Sequence, residues 1–265
     1  MEIDDYYEVE GSGSPIVFIH GSFANTSSWK SMVSQLSVNH QCILIKLPGH
    51  CGTPDPDDST YPTVETELAI VEQVVSLLTD QPIHIVGHSY GGVVALAQVL
   101  KGNLNLSQVT LFEPVASAVL DNMPDVDMSI SVRQFWDKYN YAVSQKTPYA
   151  CGQVIDFWCG DGTFKSLPIF VRDFMDGLTK NNLRHWHAAS NDTIGSDLDR
   201  LQQCTTPIRL VCGTQSSSVA KAICDCLVQG LPNSKKYTID GASHFLVTSH
   251  PNECLSVLAD ESLLH

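Results

Sequence analysis

Ten residues, IHIVGHSYGG from Ile83 to Gly92, constrain the fold of this chain more than any others. The β-branched residues Ile83, Ile85 and Val86 lead into Gly87-His88-Ser89-Tyr90-Gly91, and a stretch rich in Val, Ala and Leu follows. The first part reads as a buried strand and the last as a helix. Small residues at Gly87 and Gly91 permit a tight G-x-S-x-G turn between them, which pushes the Ser89 side chain out at the top of a sheet.

The rest of the chain repeats that alternation. Short β-branched runs at Tyr6 to Glu10, Ile16 to His20, Cys42 to Leu47, Ile83 to Gly87, Val109 to Glu113, Ile208 to Gly213 and Lys235 to Ile239 read as strands. Between them Val64, Leu68, Val71, Val75 and Leu78 recur at helical spacing with Thr63 as N-cap, a helix begins at Ser89, and a last one follows Pro251. The pattern predicts an α/β fold with a mostly parallel, doubly wound sheet. It breaks once: residues 115–206 hold no strand but many aromatics, too long a stretch for a bare loop. We expect a core of residues 1–114 and 207–265 and a helical lid at 115–206, inserted between two strands above their carboxyl ends, where ligands bind in such sheets.

Composition narrows the function classes. The chain has 265 residues, 43% of them hydrophobic, enough for one large domain with a substantial core. A formal charge of −14, spread along the chain, argues against nucleic-acid or anionic-membrane partners, which require clustered Lys and Arg. The acidic start MEIDDYYEVEG lacks a signal-peptide pattern and no apolar run approaches ~20 residues, so the expected compartment is the cytoplasm, with no membrane partner. Nine cysteines read as free thiols. Cys224 with Cys226 and His185 with His187 raise a metal site, but the usual four-ligand spacing is missing and no metal is expected.

A serine hydroxyl is a weak nucleophile until a base takes its proton. His244, in IDGASHFLVTSHP, follows the last predicted strand and can hang over Ser89, whereas His84 lies within a strand, His250 begins the final helix and His265 is terminal. Attack on a carbonyl also needs donors for the oxygen that becomes negative. The turn His20-Gly21-Ser22-Phe23 offers the Ser22 amide, and Tyr90 offers a second at the start of the elbow helix. HGSFANTSSW, LPGHCGTP, GHSYGG, PIRLVCG and GASHF, in that order, span almost the whole chain outside residues 115–206. In these pieces the chain resembles the α/β-hydrolase family, in its lidded branch of esterases, haloperoxidase-like enzymes and carbon–carbon bond hydrolases.

The resemblance implies an acid that orients the histidine, and here the chain departs from the family. Where most relatives carry G-x-x-D after the strand matching Ile208–Gly213, this chain has Gly213-Thr214-Gln215-Ser216. We expect the acid to be Glu113, at the end of the neighbouring strand, since adjacent strand ends lie ~5 Å apart. A Ser-His dyad helped by water, a backbone carbonyl or Ser216 stays open, as do Asp225 and Asp240.

The expected function is a serine hydrolase that cleaves a small or medium carboxylic ester, apolar or aromatic, with Phe23, Trp136 and Trp158 lining its pocket. Carbon–carbon hydrolysis, perhydrolysis or a lyase reaction on the same scaffold is the alternative among enzymes. A receptor-like binding protein with weak turnover is the alternative outside them. No cofactor is implied, and either a monomer or a homodimer would serve.

Overall fold

The computed structural model describes residues 2–58, 60–123, 126–191, 198–260 and 262; His265 lies outside them. Seven strands form one sheet: β1 (Tyr7–Glu10), β2 (Ser14–Ile19), β3 (His40–Ile45), β4 (Ile83–His88), β5 (Leu106–Phe112), β6 (Ile208–Gly213) and β7 (Ser234–Ile239). Their spatial order is β1-β3-β2-β4-β5-β6-β7. Only the β1–β3 pairing is antiparallel.

Period-two alternation divides the strands between two cores. Val17, Ile19, Ile43, Ile45, Ile85, Val109 and Leu111 face one side, and Ile16, Phe18, Leu44, Val86, Phe112 and Val211 face the other. α1 (Lys30–Leu36) and, near the end of the chain, α11 (Leu246–Ser249) and α12 (Pro251–Leu258) cover the second face through Met32, Val33, Leu246, Cys254 and Val257. α2 (Glu65–Leu78), α3 (Tyr90–Lys101) and α10 (Ser218–Gly230) cover the first through Val71, Val74, Val94, Leu96, Ile223 and Leu227. Helices on both faces explain why the sheet centre is shut off from solvent: β4 is buried throughout, His84 and His88 included.

Between β5 and β6 the described residues carry a 3₁₀ turn at Ser117–Asn122 and six helices: α4 (Asp127–Ser144), α5 (Gly152–Cys159), α6 (Thr163–Ser166), α7 (Ile169–Gly177), α8 (Thr179–Asn191) and α9 (Leu198–Gln202). Their apolar residues, among them Val132, Tyr139, Ile155 and Trp158, belong to the same buried cluster as α2, α3 and α10. α8 is fixed to the sheet layer by Arg184, buried to 8% exposure, whose guanidinium pairs with the fully buried Glu67 of α2 and, at 2.5 Å, with Asp58. Among the described residues no helix is long and apolar enough to cross a membrane.

Predicted boundaries differ at several ends. The strand expected from Tyr6 starts at Tyr7, because Tyr6 closes a 3₁₀ turn. His20, Leu47 and Glu113, expected as last strand residues, lie past the final ladder pair, although all three are buried. α2 begins at Glu65, where the Thr63 hydroxyl accepts the Glu65 amide at 3.3 Å, and α3 begins at Tyr90, one residue after Ser89.

Candidate active site

β4 ends at His88, and Ser89 stands alone between strand and helix with φ 55° and ψ −120°. A left-handed φ is costly for a residue with a Cβ and persists only where surroundings impose it. Here the Ser89 amide donates to the Phe112 carbonyl at 3.0 Å, while the Ser89 carbonyl accepts from Gly92 at 3.0 Å and Val115 at 3.3 Å. The turn also needs close backbone approach. A Cβ on Gly91 would collide with the Ile19 and His20 carbonyls, and one on Gly21 would lie 3.0 Å from the Ser89 Cβ.

His244 follows β7 and reaches Ser89 from the side. Its Nε2 lies 3.0 Å from Ser89 Oγ and its Nδ1 lies 2.8 Å from Glu113 Oε2. Because Nδ1 faces a carboxylate, it carries the ring proton, which leaves Nε2 free to accept from the serine hydroxyl. The other carboxylate oxygen, Oε1, accepts the Gly213 amide at 2.8 Å and the Ser216 hydroxyl. Ser216 thus stands behind the acid as a donor. Burial works to raise the Glu113 carboxyl, but the hydrogen bond and charge of His244, with the Ser216 and Gly213 donors, outweigh it and hold the group below the usual carboxylate range. Glu113, like Ser89, has a positive φ, 44°. The other acids considered are engaged elsewhere: Asp225 pairs with Lys236 at 2.5 Å and Asp240 accepts from Thr214 at 3.2 Å.

His88 Nε2 donates to the His244 carbonyl at 2.8 Å, which ties the loop carrying His244 to the elbow. Burial and the neighbouring His244 push His88 down to about 3, so it is neutral and structural at ordinary pH. Trp158 lies against the other side of His244, ring centroids 5.6 Å apart.

Ser22 and Tyr90 both border the same cavity as Ser89. Tyr90 is the first residue of α3, so its amide has no partner within the helix and sits at the positive end of the helix dipole. Ser22 is held at both ends: its carbonyl accepts from His50 Nε2 at 2.7 Å, and its hydroxyl lies 2.9 Å from His185 Nδ1. His185 also stacks on Tyr90, with centroids 3.8 Å apart and planes 9° from parallel.

The cavity measures about 570 Å³, and among the described residues no Asp, Glu, Lys or Arg lines it. The inserted segment supplies an apolar lining: Val154, Ile155, Trp158, Leu167, Val171 and Phe174. Phe23 and Trp158 line this cavity, and Trp136, expected beside them, does not. It packs behind Trp186, centroids 5.5 Å apart, with His187 edge-on at 4.9 Å. The face of α8 toward the cavity is Asn182, His185, Trp186 and Ala189, spaced i, i+3, i+4, i+7. In the sequence Trp186 stands only as one of many aromatics in the inserted segment and His185 as half of an HxH pair; helical spacing is the signal that groups the two.

Comparison with known proteins agrees with the fold. A 24% identical relative, pimeloyl-acyl-carrier-protein methyl ester esterase of Aeromonas salmonicida, aligns over 94% of this chain and 95% of its own. A cis-3-alkyl-4-alkyloxetan-2-one decarboxylase of Shewanella oneidensis is 30% identical, but over only 45% of this chain and 38% of that protein. The solved structure of a hydrolase from Oleispira antarctica superposes with a TM-score of 0.76 at 17% identity, covering 97% of this chain and 94% of that one. The model of the alpha/beta hydrolase family matches residues 16–257, and with the elbow, the sheet order and the inserted helices in place, the chain belongs to that family.

Proposed function

We propose that the protein is a serine hydrolase of neutral carboxylic esters, with Ser89 as nucleophile, His244 as general base and Glu113 as the orienting acid. The observation that carries this is the unbroken line from Ser89 Oγ to His244 Nε2 at 3.0 Å and from His244 Nδ1 to Glu113 Oε2 at 2.8 Å. Ser89 Oγ attacks the ester carbonyl as His244 takes its proton, and the Ser22 and Tyr90 amides receive the negative oxygen. The imidazolium, stabilised by Glu113, then protonates the departing alkoxide. A water attacks the acyl-serine by the same route, returning acid and Ser89. The inserted helices act as the lid, and their apolar wall suits an acyl chain.

The lining favours a substrate without charge. A cavity of about 570 Å³, with no Asp, Glu, Lys or Arg lining it among the described residues, admits a medium acyl ester and would desolvate a carboxylate or phosphate without a paired charge. The relative named for a methyl ester esterase points to the same reaction class. Nine free cysteines suit a reducing cytoplasm.

The reading is tested by a fluorophosphonate probe followed by peptide mapping, together with an ester chain-length panel. Labelling at Ser89, lost in Ser89→Ala, is expected, with hydrolysis best for uncharged acyl chains. Folded protein that takes no label sinks the reading; labelling without ester turnover would move it to carbon–carbon hydrolysis, perhydrolysis or a binding role on the same site.

A further inference from the structure

Resting on that serine-hydrolase reading, we propose that His185, on α8 of the inserted segment, is a positioning residue for the oxyanion site, bracing Ser22 by a hydrogen bond and Tyr90 by ring stacking. These are the two residues whose amides receive the developing charge, and they come from different parts of the sheet layer: Ser22 follows β2 and Tyr90 opens α3. His185 is the side chain that touches both, at 2.9 Å from Ser22 Oγ and 3.8 Å between ring centroids with Tyr90. It is buried to 2% exposure, so its place is set by packing rather than by solvent.

The chemistry of its two nitrogens fixes what it does to Ser22. Burial, with His50 and Arg184 nearby, keeps the ring neutral, so one nitrogen carries the proton. Nε2 faces Glu67 Oε1 at 4.0 Å, close enough for the carboxylate to favour a proton there and too far for a hydrogen bond. Nδ1 is then the acceptor and the Ser22 hydroxyl donates to it. The Ser22 side chain is therefore committed to His185, and what it holds in place is its own backbone amide.

That arrangement carries a cost. Among the described residues His185 Nε2 is buried with no hydrogen-bond partner, which ordinary packing avoids. The ring is nevertheless held there, because the adjacent Arg184 anchors α8 on Glu67 and Asp58 and because the ring is sandwiched between Tyr90 and His50, the latter at 5.4 Å and stacked. His50 in turn donates to the Ser22 carbonyl at 2.7 Å, so the Ser22 peptide is gripped from the side chain and from the carbonyl at once. The inserted helices, on this view, complete the oxyanion site as well as covering it.

The test compares His185→Phe, which keeps a stacking ring and loses the acceptor, His185→Asn, whose amide can stand near Nδ1 and accept the Ser22 hydroxyl, and Ser22→Ala. Ester kcat and KM are measured beside the affinity of an alkyl trifluoromethyl ketone, whose hemiketal oxygen occupies the oxyanion site. In His185→Phe and Ser22→Ala, kcat should fall at least about tenfold with KM held within about twofold, as for small misplacement of a catalytic donor. Ketone affinity should fall by the same factor as kcat/KM, and His185→Asn should recover most of both. If His185→Phe does not fold, Ser22→Ala carries the comparison. Unchanged kcat in the variants, or a lower kcat with undiminished ketone affinity, overturns the proposal. Wild-type protein that reacts with neither ketone nor fluorophosphonate instead removes the serine-hydrolase reading beneath it.

Discussion

Replacing Glu113 with Gln should do more than remove a charge. In the native site the Gly213 amide and the Ser216 hydroxyl both donate to Oε1, and Oε2 alone faces His244 Nδ1. A glutamine must answer the same two donors with its carbonyl oxygen, which turns its NH₂ group toward His244. Two donors would then meet across 2.8 Å, and the imidazole relieves this by moving its proton to Nε2. In that tautomer Nε2 cannot accept the Ser89 proton. Loss of the correct tautomer in a serine triad lowers kcat about ten-thousandfold, or about 5.5 kcal/mol of transition-state stabilisation. Hydrolysis of p-nitrophenyl butyrate, with Ser89→Ala as background and circular dichroism as the check on folding, measures it. Ser216→Ala, which removes one of the two donors and leaves Gly213, should cost only about tenfold. A folded Glu113→Gln enzyme within tenfold of wild type would refute the assignment of the acid and leave a Ser-His dyad.

Three further outcomes concern stability and the turn. His20, His84 and His88 are buried and held near 3 by desolvation, against an ordinary value near 6.5, so acid favours the unfolded chain, which binds protons the folded one refuses. Between pH 7 and pH 5 each costs about 2 kcal/mol and the three about 6 kcal/mol, comparable with the whole stability of a domain; Glu67, raised by burial, works in the opposite sense for a single proton. Urea unfolding at the two pH values checks it, and equal stability would show that these histidines are protonated in the fold. Arg184→Ala leaves the buried Glu67 unpaired and should destabilise by about 3–5 kcal/mol, most of it recovered in Arg184→Met with Glu67→Gln. Gly91→Ala sets a Cβ against the Ile19 and His20 carbonyls, so ester hydrolysis should be lost even in protein that remains folded by circular dichroism.

What sequence could tell varied with how local the cause was. β6 was legible residue for residue, Ile208–Gly213, because Pro207 opens it and a turn closes it. β2, β3 and β5 were read too long at His20, Leu47 and Glu113 because these residues are buried, and burial continues past the last ladder pair. Ser89 and His244 announce themselves through neighbours in the chain, the elbow and the loop after the last strand. Glu113 was reachable by asking which strand end adjoins β4; the register answers it, since His88 pairs with Phe112. The inserted helices resisted. An aromatic residue on an amphipathic helix says that it is buried, not in which layer, so Trp136 was placed in the cavity wall when it backs Trp186. His185 depends on the rotation of α8 about its axis, which the Arg184 anchor sets through residues more than a hundred positions away.

The junction where the chain leaves β5 has a mechanical consequence. Glu113 directly follows β5 on the way to the inserted helices, and its amide is tied to the Val211 carbonyl at 2.9 Å. Pro114 packs so closely on Gly92 that a Cβ there would lie 2.9 Å from the proline ring, and the Val115 amide is bonded to Ser89. Three successive residues are thus clamped to β6, to α3 and to the elbow. Any rocking of the helices that follow begins beyond this clamp, as a door swings from a bolted post. Glu113 and Ser89 share the post, so motion of the inserted segment leaves the distance between them untouched.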